Sequence, residues 1–160
     1  MDPNAFRALL EGQGLSRDFG FSVDVNIGGG TVSQVLAKGA ALPGRNIDNL
    51  VAYVYGQEFQ IGGAVRYANA ASYPIEFWCP SDGAIRKSLE TMSKKQFDWG
   101  KGQSGNGSVT LKQISPKSGA GASYTLQKAE IRDIGPINYI LDGTGEVVTF
   151  TVTFAYQYYE

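Results

Sequence analysis

Few residues in this chain are equipped for chemistry. Its 160 residues include no histidine and a single cysteine, Cys79. Without histidine there is no ordinary general base near neutral pH, no imidazole metal ligand and no Ser-His or Cys-His pair. One cysteine allows neither an internal disulfide nor a multi-cysteine metal site. At the end of an apolar stretch it suits a small buried residue better than a nucleophile. Gly100-Lys101-Gly102-Gln103-Ser104-Gly105 spells the glycine pattern of a dinucleotide loop. That loop must follow a strand and open a helix, so that backbone amides meet the pyrophosphate. Here it follows a helical stretch and precedes the strand-like Ser108-Val109-Thr110-Leu111. Glu130, Asp133 and Asp142 are the acids available for paired-carboxylate chemistry on a sugar, yet scattered acids on a β-surface are usually solvated. Asn106-Gly107-Ser108 is a glycosylation sequon that matters only in a secreted chain. No catalytic, cofactor-binding or metal-ligating set emerges, and the chain is expected not to be an enzyme.

Charge narrows the partners. Fifteen acids against fourteen bases give a net charge of −1, which lacks the basic surface that grips nucleic acid. No apolar run approaches the roughly 20 residues needed to span a membrane. Residues 1–13 interleave charge with apolar positions and lack the apolar block of a signal peptide, so synthesis in a cytoplasm is the expectation. The length suits one domain, residues 1–160, with a core that needs no staples.

The elements are mostly strands. Residues 146–160 alternate, with Val148, Phe150, Val152, Phe154, Tyr156 and Tyr158 on one face and Thr149, Thr151, Thr153 and Gln157 on the other. A period of two with β-branched and aromatic residues marks a half-buried antiparallel strand. Residues 19–27 alternate likewise, with Phe19, Phe21, Val23, Val25 and Ile27 opposite Ser22, Asp24 and Asn26. Three glycines then turn the chain into a strand over 31–38. Further strands are predicted at 73–79, 108–114 and 124–134. Ile85, Leu89 and Met92 form one apolar stripe on a helix over 83–96, with Asp82 near its start as a cap. A short helix is predicted at 3–11, closed by Gly12. Residues 50–55 and 58–62 read as a hairpin about Gly56-Gln57 in a type II′ turn, pairing Val54 with Phe59 and Ala52 with Ile61. Its second face shows Val51, Tyr53, Tyr55, Glu58 and Gln60. One reading packs this hairpin on its own core; the other leaves it free for a partner.

Three segments in this order resemble the tail tube proteins of contractile-tailed bacteriophages. The first is Ala41-Leu42-Pro43-Gly44, leading into the long hairpin. The second runs from the strand at 73–78 through Ser81-Asp82-Gly83-Ala84-Ile85-Arg86 into the helix. The third is Ala129-Glu130-Ile131-Arg132-Asp133-Ile134-Gly135-Pro136, followed by the last strand and Tyr156-Gln157-Tyr158-Tyr159-Glu160. The likeness weakens across residues 100–123. It implies a mainly β (α+β) subunit, an antiparallel β-barrel or sandwich with one principal helix and a short N-terminal helix, that closes into hexameric rings. Rings would stack into the inner tube of a virion tail, with sheath, baseplate and tail terminator proteins as partners. DNA and a tape-measure protein would pass through the lumen without specific binding, with no membrane and no cofactor involved. The hairpin residues Val51, Tyr53, Tyr55, Glu58, Phe59, Gln60 and Ile61 are expected at the ring-to-ring contact. Ser22, Asp24, Asn26, Thr149, Thr151 and Thr153 are expected at the lumen, and residues 100–123 to order on contact. Ring proteins of type VI secretion and other contractile injection systems share that fold and are the nearest alternative. A monomeric carbohydrate-binding module is the other, with Trp78 and Trp99 as its only indoles.

Overall fold

The computed structural model describes residues 21–33, 37–98, 102–103, 106–114, 121–139 and 145–160. The helix expected at 3–11, most of the dinucleotide-like segment, Trp99 and Asp142 lie outside them, as do residues 115–120 of the segment expected to order on contact. In chain order the elements are β1 (Phe21–Ile27), β2 (Gly30–Ser33), β3 (Ala37–Ala40), β4 (Gly44–Val54), β5 (Gln57–Ala68), β6 (Tyr73–Trp78), α1 (Ala84–Gln96), β7 (Phe97–Asp98), β8 (Gly102–Gln103), β9 (Gly107–Gln113), β10 (Ser123–Ile134), β11 (Thr149–Ala155) and β12 (Tyr158–Tyr159).

Eight strands form one antiparallel sheet in the order β2-β1-β9-β10-β11-β6-β3, with β12 also against β10. Strand β10 belongs to two neighbourhoods. Its first part pairs with β9 and β12, and after an irregularity between Gln127 and Ala129 its second part pairs with β11. Such irregularities bend a strand and sharpen its twist, which lets both halves turn their apolar sides to one core. That core joins Val23, Val25, Ile27, Val109, Leu111 and Leu126 from one half to Ile75, Phe77, Phe150, Val152 and Phe154 from the other. Among the described residues β2 and β3 do not pair, so the barrel alternative is corrected to an open sheet. Among those residues each end strand has one neighbour only.

The expected strand at 31–38 is two strands. β2 ends at Ser33 beside β1, and β3 pairs with β6 at the far edge of the sheet. One straight strand cannot serve both edges. The alternation of residues 146–160 likewise breaks. Phe154, Ala155 and Tyr156 are buried in succession, and the chain then leaves β6 and pairs through β12 with β10. Tyr158, expected on the apolar face, is exposed, while Tyr159 packs against Tyr67 and Tyr124.

Helix α1 starts where Asp82 Oδ1 accepts the Ala84 N–H at 3.0 Å, satisfying one of the orphan donors of the first turn. Leu89 and Met92 are buried and Ile85 half-buried against the core. Gln96, at the last turn, is buried and latches the helix to the sheet. Its amide nitrogen donates to the Ile131 carbonyl at 2.6 Å, and its oxygen accepts the Ile131 N–H at 2.9 Å. The side chain thus completes hydrogen bonding for a backbone position at the second irregularity of β10.

Candidate assembly surface

Among the described residues strands β4 and β5 pair only with each other, and no other element packs against them substantially. With 11 and 12 residues at roughly 3.3 Å each, the ribbon projects on the order of 35 Å. It is longer than the hairpin expected at 50–62. Neither of its faces is buried, so Asn46, Asp48, Gly62 and Gly63 show no alternation that would have marked the extension. Packing of this hairpin on its own core is therefore corrected.

The register differs too. Val54 faces Gln57, Ala52 faces Phe59 and Leu50 faces Ile61, two residues from the expected pairing. A shift of two keeps every side chain on its expected face. The turn residues are Tyr55 and Gly56, with φ of 51° and 77°. Positive φ at both positions defines a type I′ turn rather than type II′, matching the right-handed twist of the two strands.

Among the described residues fourteen large apolar side chains are exposed, and nine of them are on this ribbon. One face carries Leu50, Val54, Phe59 and Ile61; the other carries Ile47, Val51, Tyr53 and Val65, with Tyr55 at the tip. Isolated apolar residues on a surface mean little, but a contiguous patch marks an interaction site. The only ion pair within the ribbon joins Arg66 to Asp48 near its root. Glu58 is the sole charged residue between positions 50 and 62.

The root is held by two tyrosines of the body. Tyr73 donates its hydroxyl to the Ala41 carbonyl, just before β4, and Tyr156 donates to the Ala68 carbonyl, the last residue of β5, at 2.9 Å. Tyr67 on β5 lies edge-on to Tyr156 and Tyr159, with centroids 6.5 and 5.2 Å away. Burial pushes the Tyr73 phenol well above its usual range, and the neighbouring Tyr156 adds to this. Tyr156 is raised chiefly by burial and then by Tyr159 and Tyr67. Both hydroxyls therefore remain donors.

The residues expected at the lumen lie on solvent-facing sides of the sheet. Directly paired residues share a face, so Asp24 continues through Thr110 to Thr125, Ser22 through Lys112 to Ser123, and Asn26 through Ser108 to Gln127. Thr149, Thr151 and Thr153 sit on the other half, opposite Trp78, Glu76 and Pro74 of β6. The acids here are covered by lysines. Lys112 Nζ donates to Asp24 Oδ2 at 2.9 Å, and Lys38 Nζ to Glu76 Oε1 at 3.0 Å. The Lys38 bond, then the Thr149 hydroxyl at 2.8 Å, hold the Glu76 carboxyl below its usual value. Sequence placed the acids and hydroxyls on these faces but gave no sign of their lysine partners, which come from strands far along the chain.

Among the described residues two clefts bear on the ribbon and the helix. One, about 540 Å³, lies at the ribbon root between residues 70–71 and the Lys128 irregularity; the other, about 270 Å³, lies between α1 and β2. Of the acids considered for sugar chemistry, Glu130 pairs with Arg132 at 2.6 Å, Asp133 is exposed, and Asp142 lies outside the described residues. Trp78 is half-buried, with Lys38 Nζ 5.3 Å from its ring centroid. Cys79 is half-buried against the core. Among the described residues no helix is long and apolar enough to cross a membrane.

No protein-family model and no curated protein matches the chain. Solved structures do. A chain of the anti-feeding prophage cap, which terminates the tube, superposes with a TM-score of 0.62 at 12% identity, covering 91% of this chain and 89% of that one. A chain of the PVC sheath/tube terminator of an extracellular contractile injection system, in its extended state, gives 0.61 at 10% identity over 90% and 94%. A chain of the PVC sheath-tube complex gives 0.58 at 9% identity over 100% and 97%. The chain thus has a tail tube-like fold, one found in contractile injection assemblies.

Proposed function

We propose that this chain is the tube subunit of a contractile phage tail, in which copies close into hexameric rings and the rings stack into a hollow inner tube. The observation that carries this is the ribbon β4–β5, apolar on both faces and without a packing partner among the described residues. Such a ribbon needs other chains to cover it. A contact that closes makes a ring and one that does not makes a filament; a tube requires both. The ring-to-ring contact is assigned to Val51, Tyr53, Tyr55, Glu58, Phe59, Gln60 and Ile61. The tube sits inside a sheath protein, between baseplate and terminator, in the tail of the virion.

The bore is assigned to the polar faces of Ser22, Asp24 and Asn26 and of Thr149, Thr151 and Thr153. Their acids are paired with lysines, leaving hydroxyls, amides and near-neutral charge. DNA and a tape-measure protein can pass such a wall freely, because each unpaired cation on a phosphate adds salt-sensitive grip. A second reading, the tube of a contractile injection system that delivers protein, is favoured by the origin of the similar chains. A neighbouring gene for a terminase or major capsid protein separates the two.

Negative-stain electron microscopy of the purified chain across a concentration series tests the proposal. Rings or hollow tubes of uniform width are expected, and they should vanish when residues 50–61 are replaced by a two-residue Asn-Gly turn. A chain that stays monomeric at millimolar concentration and in the presence of its sheath protein would refute it.

A further inference from the structure

Resting on the tube reading, we propose that the tip of each ribbon docks in the cleft at the ribbon root of a second copy, seating Tyr55 in the cleft and Glu58 against Lys128. Tyr55 occupies a left-handed backbone position, φ 51°, where Asn or Gly would turn the chain without strain. Its side chain is fully exposed and makes no ring contact or hydrogen bond among the described residues. An aromatic residue held at a strained position with no partner among the described residues points outward for its use.

The cleft matches that tip in size, lining and charge. At about 540 Å³ it has room for a tyrosine ring, because Ala70, Ala71 and Ala155 present only methyl groups, and Tyr156 supplies an aromatic wall. Lys128 stands at its rim, exposed, with φ of 53° at the irregularity of β10 and no ion pair among the described residues. Arg132, also in the lining, is already taken by Glu130. The ribbon's outer half brings one charge, Glu58, which faces Tyr53 across the strands. Carboxylate and ammonium are therefore each left over on complementary surfaces.

Position adds a geometric reason. Ala70 and Ala71 follow β5 after the single residue Asn69, so the cleft sits one ribbon length from the tip of its own chain. A tip-to-root contact is heterologous and leaves any stack of copies with a free tip at one end and a free cleft at the other. Where its rotation does not close, such a contact propagates along an axis, as stacking of rings requires. The α1–β2 cleft, with Lys87 and Lys95 in its lining, is half the size and lies beside the helix rather than at the root.

Charge exchange tests this. Glu58 and Lys128 are both exposed, so Glu58→Lys and Lys128→Glu should melt with the wild type. Each is expected to raise the protein concentration needed for tubes about tenfold or more, and the double exchange to return it to within about threefold of wild type. Tyr55→Asn should raise the monomer's melting temperature and still impair stacking. Docking is overturned if Lys128→Glu assembles normally, if the double exchange is no better than either single variant, or if Lys95→Glu rescues Glu58→Lys instead. Wild-type tubes with indifferent variants reject the docking alone. A wild-type chain that never assembles rejects the tube reading and the docking together.

Discussion

Removing the Tyr156 hydroxyl while keeping its ring should loosen the ribbon at its root without disturbing the core. In Tyr156→Phe the edge-on contacts with Tyr67 and Tyr73 persist, and only the 2.9 Å bond to the Ala68 carbonyl is lost. Ala68 is exposed, so water can replace the donor, and the loss is about 0.5–1.5 kcal/mol. Ala41 is exposed as well, so Tyr73→Phe, which loses the bond to its carbonyl, should cost a similar amount, about 0.5–1.5 kcal/mol. At about 2–4 °C per kcal/mol for a domain of this size, the Tyr156 variant should melt a few degrees low. Urea unfolding of dilute monomer gives the stability, and amide exchange at residues 69–72 reports on the root. A Tyr156→Phe chain with wild-type midpoint and equal exchange would refute the clamp; a loss beyond about 4 kcal/mol would show that the ring had moved. The pH dependence has a definite sign. Because burial raises the Tyr73 value above the ordinary 10, its stabilisation is complete below pH 10 and is lost as pH climbs toward the native value. The gap between wild type and Tyr73→Phe should therefore narrow above pH 10.

Gln96→Ala removes both bonds to the Ile131 backbone inside the core and should cost roughly 2–5 kcal/mol, read by urea unfolding; a loss under about 1 kcal/mol would deny the latch. Gly107→Ala would drive a Cβ into the Ala129 carbonyl oxygen and put it 2.7 Å from Ile27, and a destabilisation of about 1–3 kcal/mol or more should appear as a lowered melting temperature. Glu76 has a depressed native value, so its contribution should be complete above the ordinary 4.5 and fade as pH falls through that native value. Wild type and Glu76→Gln should thus differ at neutral pH and converge in acid, which thermal melts across that range will show.

Alternation made β1, β6, β9 and most of β10 legible, because one side of each meets the core and the other meets water or polar neighbours. The stripe Ile85, Leu89, Met92 showed the helix for the same reason. Where burial does not alternate, the pattern misleads. The outer ribbon has two wet faces, so its length and register left little trace. At residues 154–158 the apolar alternation runs on through Tyr158, but the backbone changes partner at Tyr156 and turns the sequence pattern out of phase. Long-range polar contacts were illegible: Gln96 reads as a helix-surface amide, and nothing local announces Lys112 over Asp24 or Lys38 on Glu76. Of the assembly surface, its tyrosine-rich face was visible in sequence. The root clamp and the cleft were not, since both are made by residues brought together only in the fold.

The position of β11 in the sheet has a kinetic consequence. It lies between β10 and β6, yet follows both in the chain, so until it is placed the sheet exists as two fragments that share no edge. The ribbon, by contrast, is wholly local and can close on the order of 1–10 μs, long before distant strands find one another. A growing chain therefore acquires its adhesive arm first and its finished body last. During that interval the arm is on display while the tyrosines that aim it are not all in place. Encounters between incomplete chains are then a greater hazard than slow folding itself, and a holding partner for the nascent ribbon would shorten the exposure without touching the final assembly.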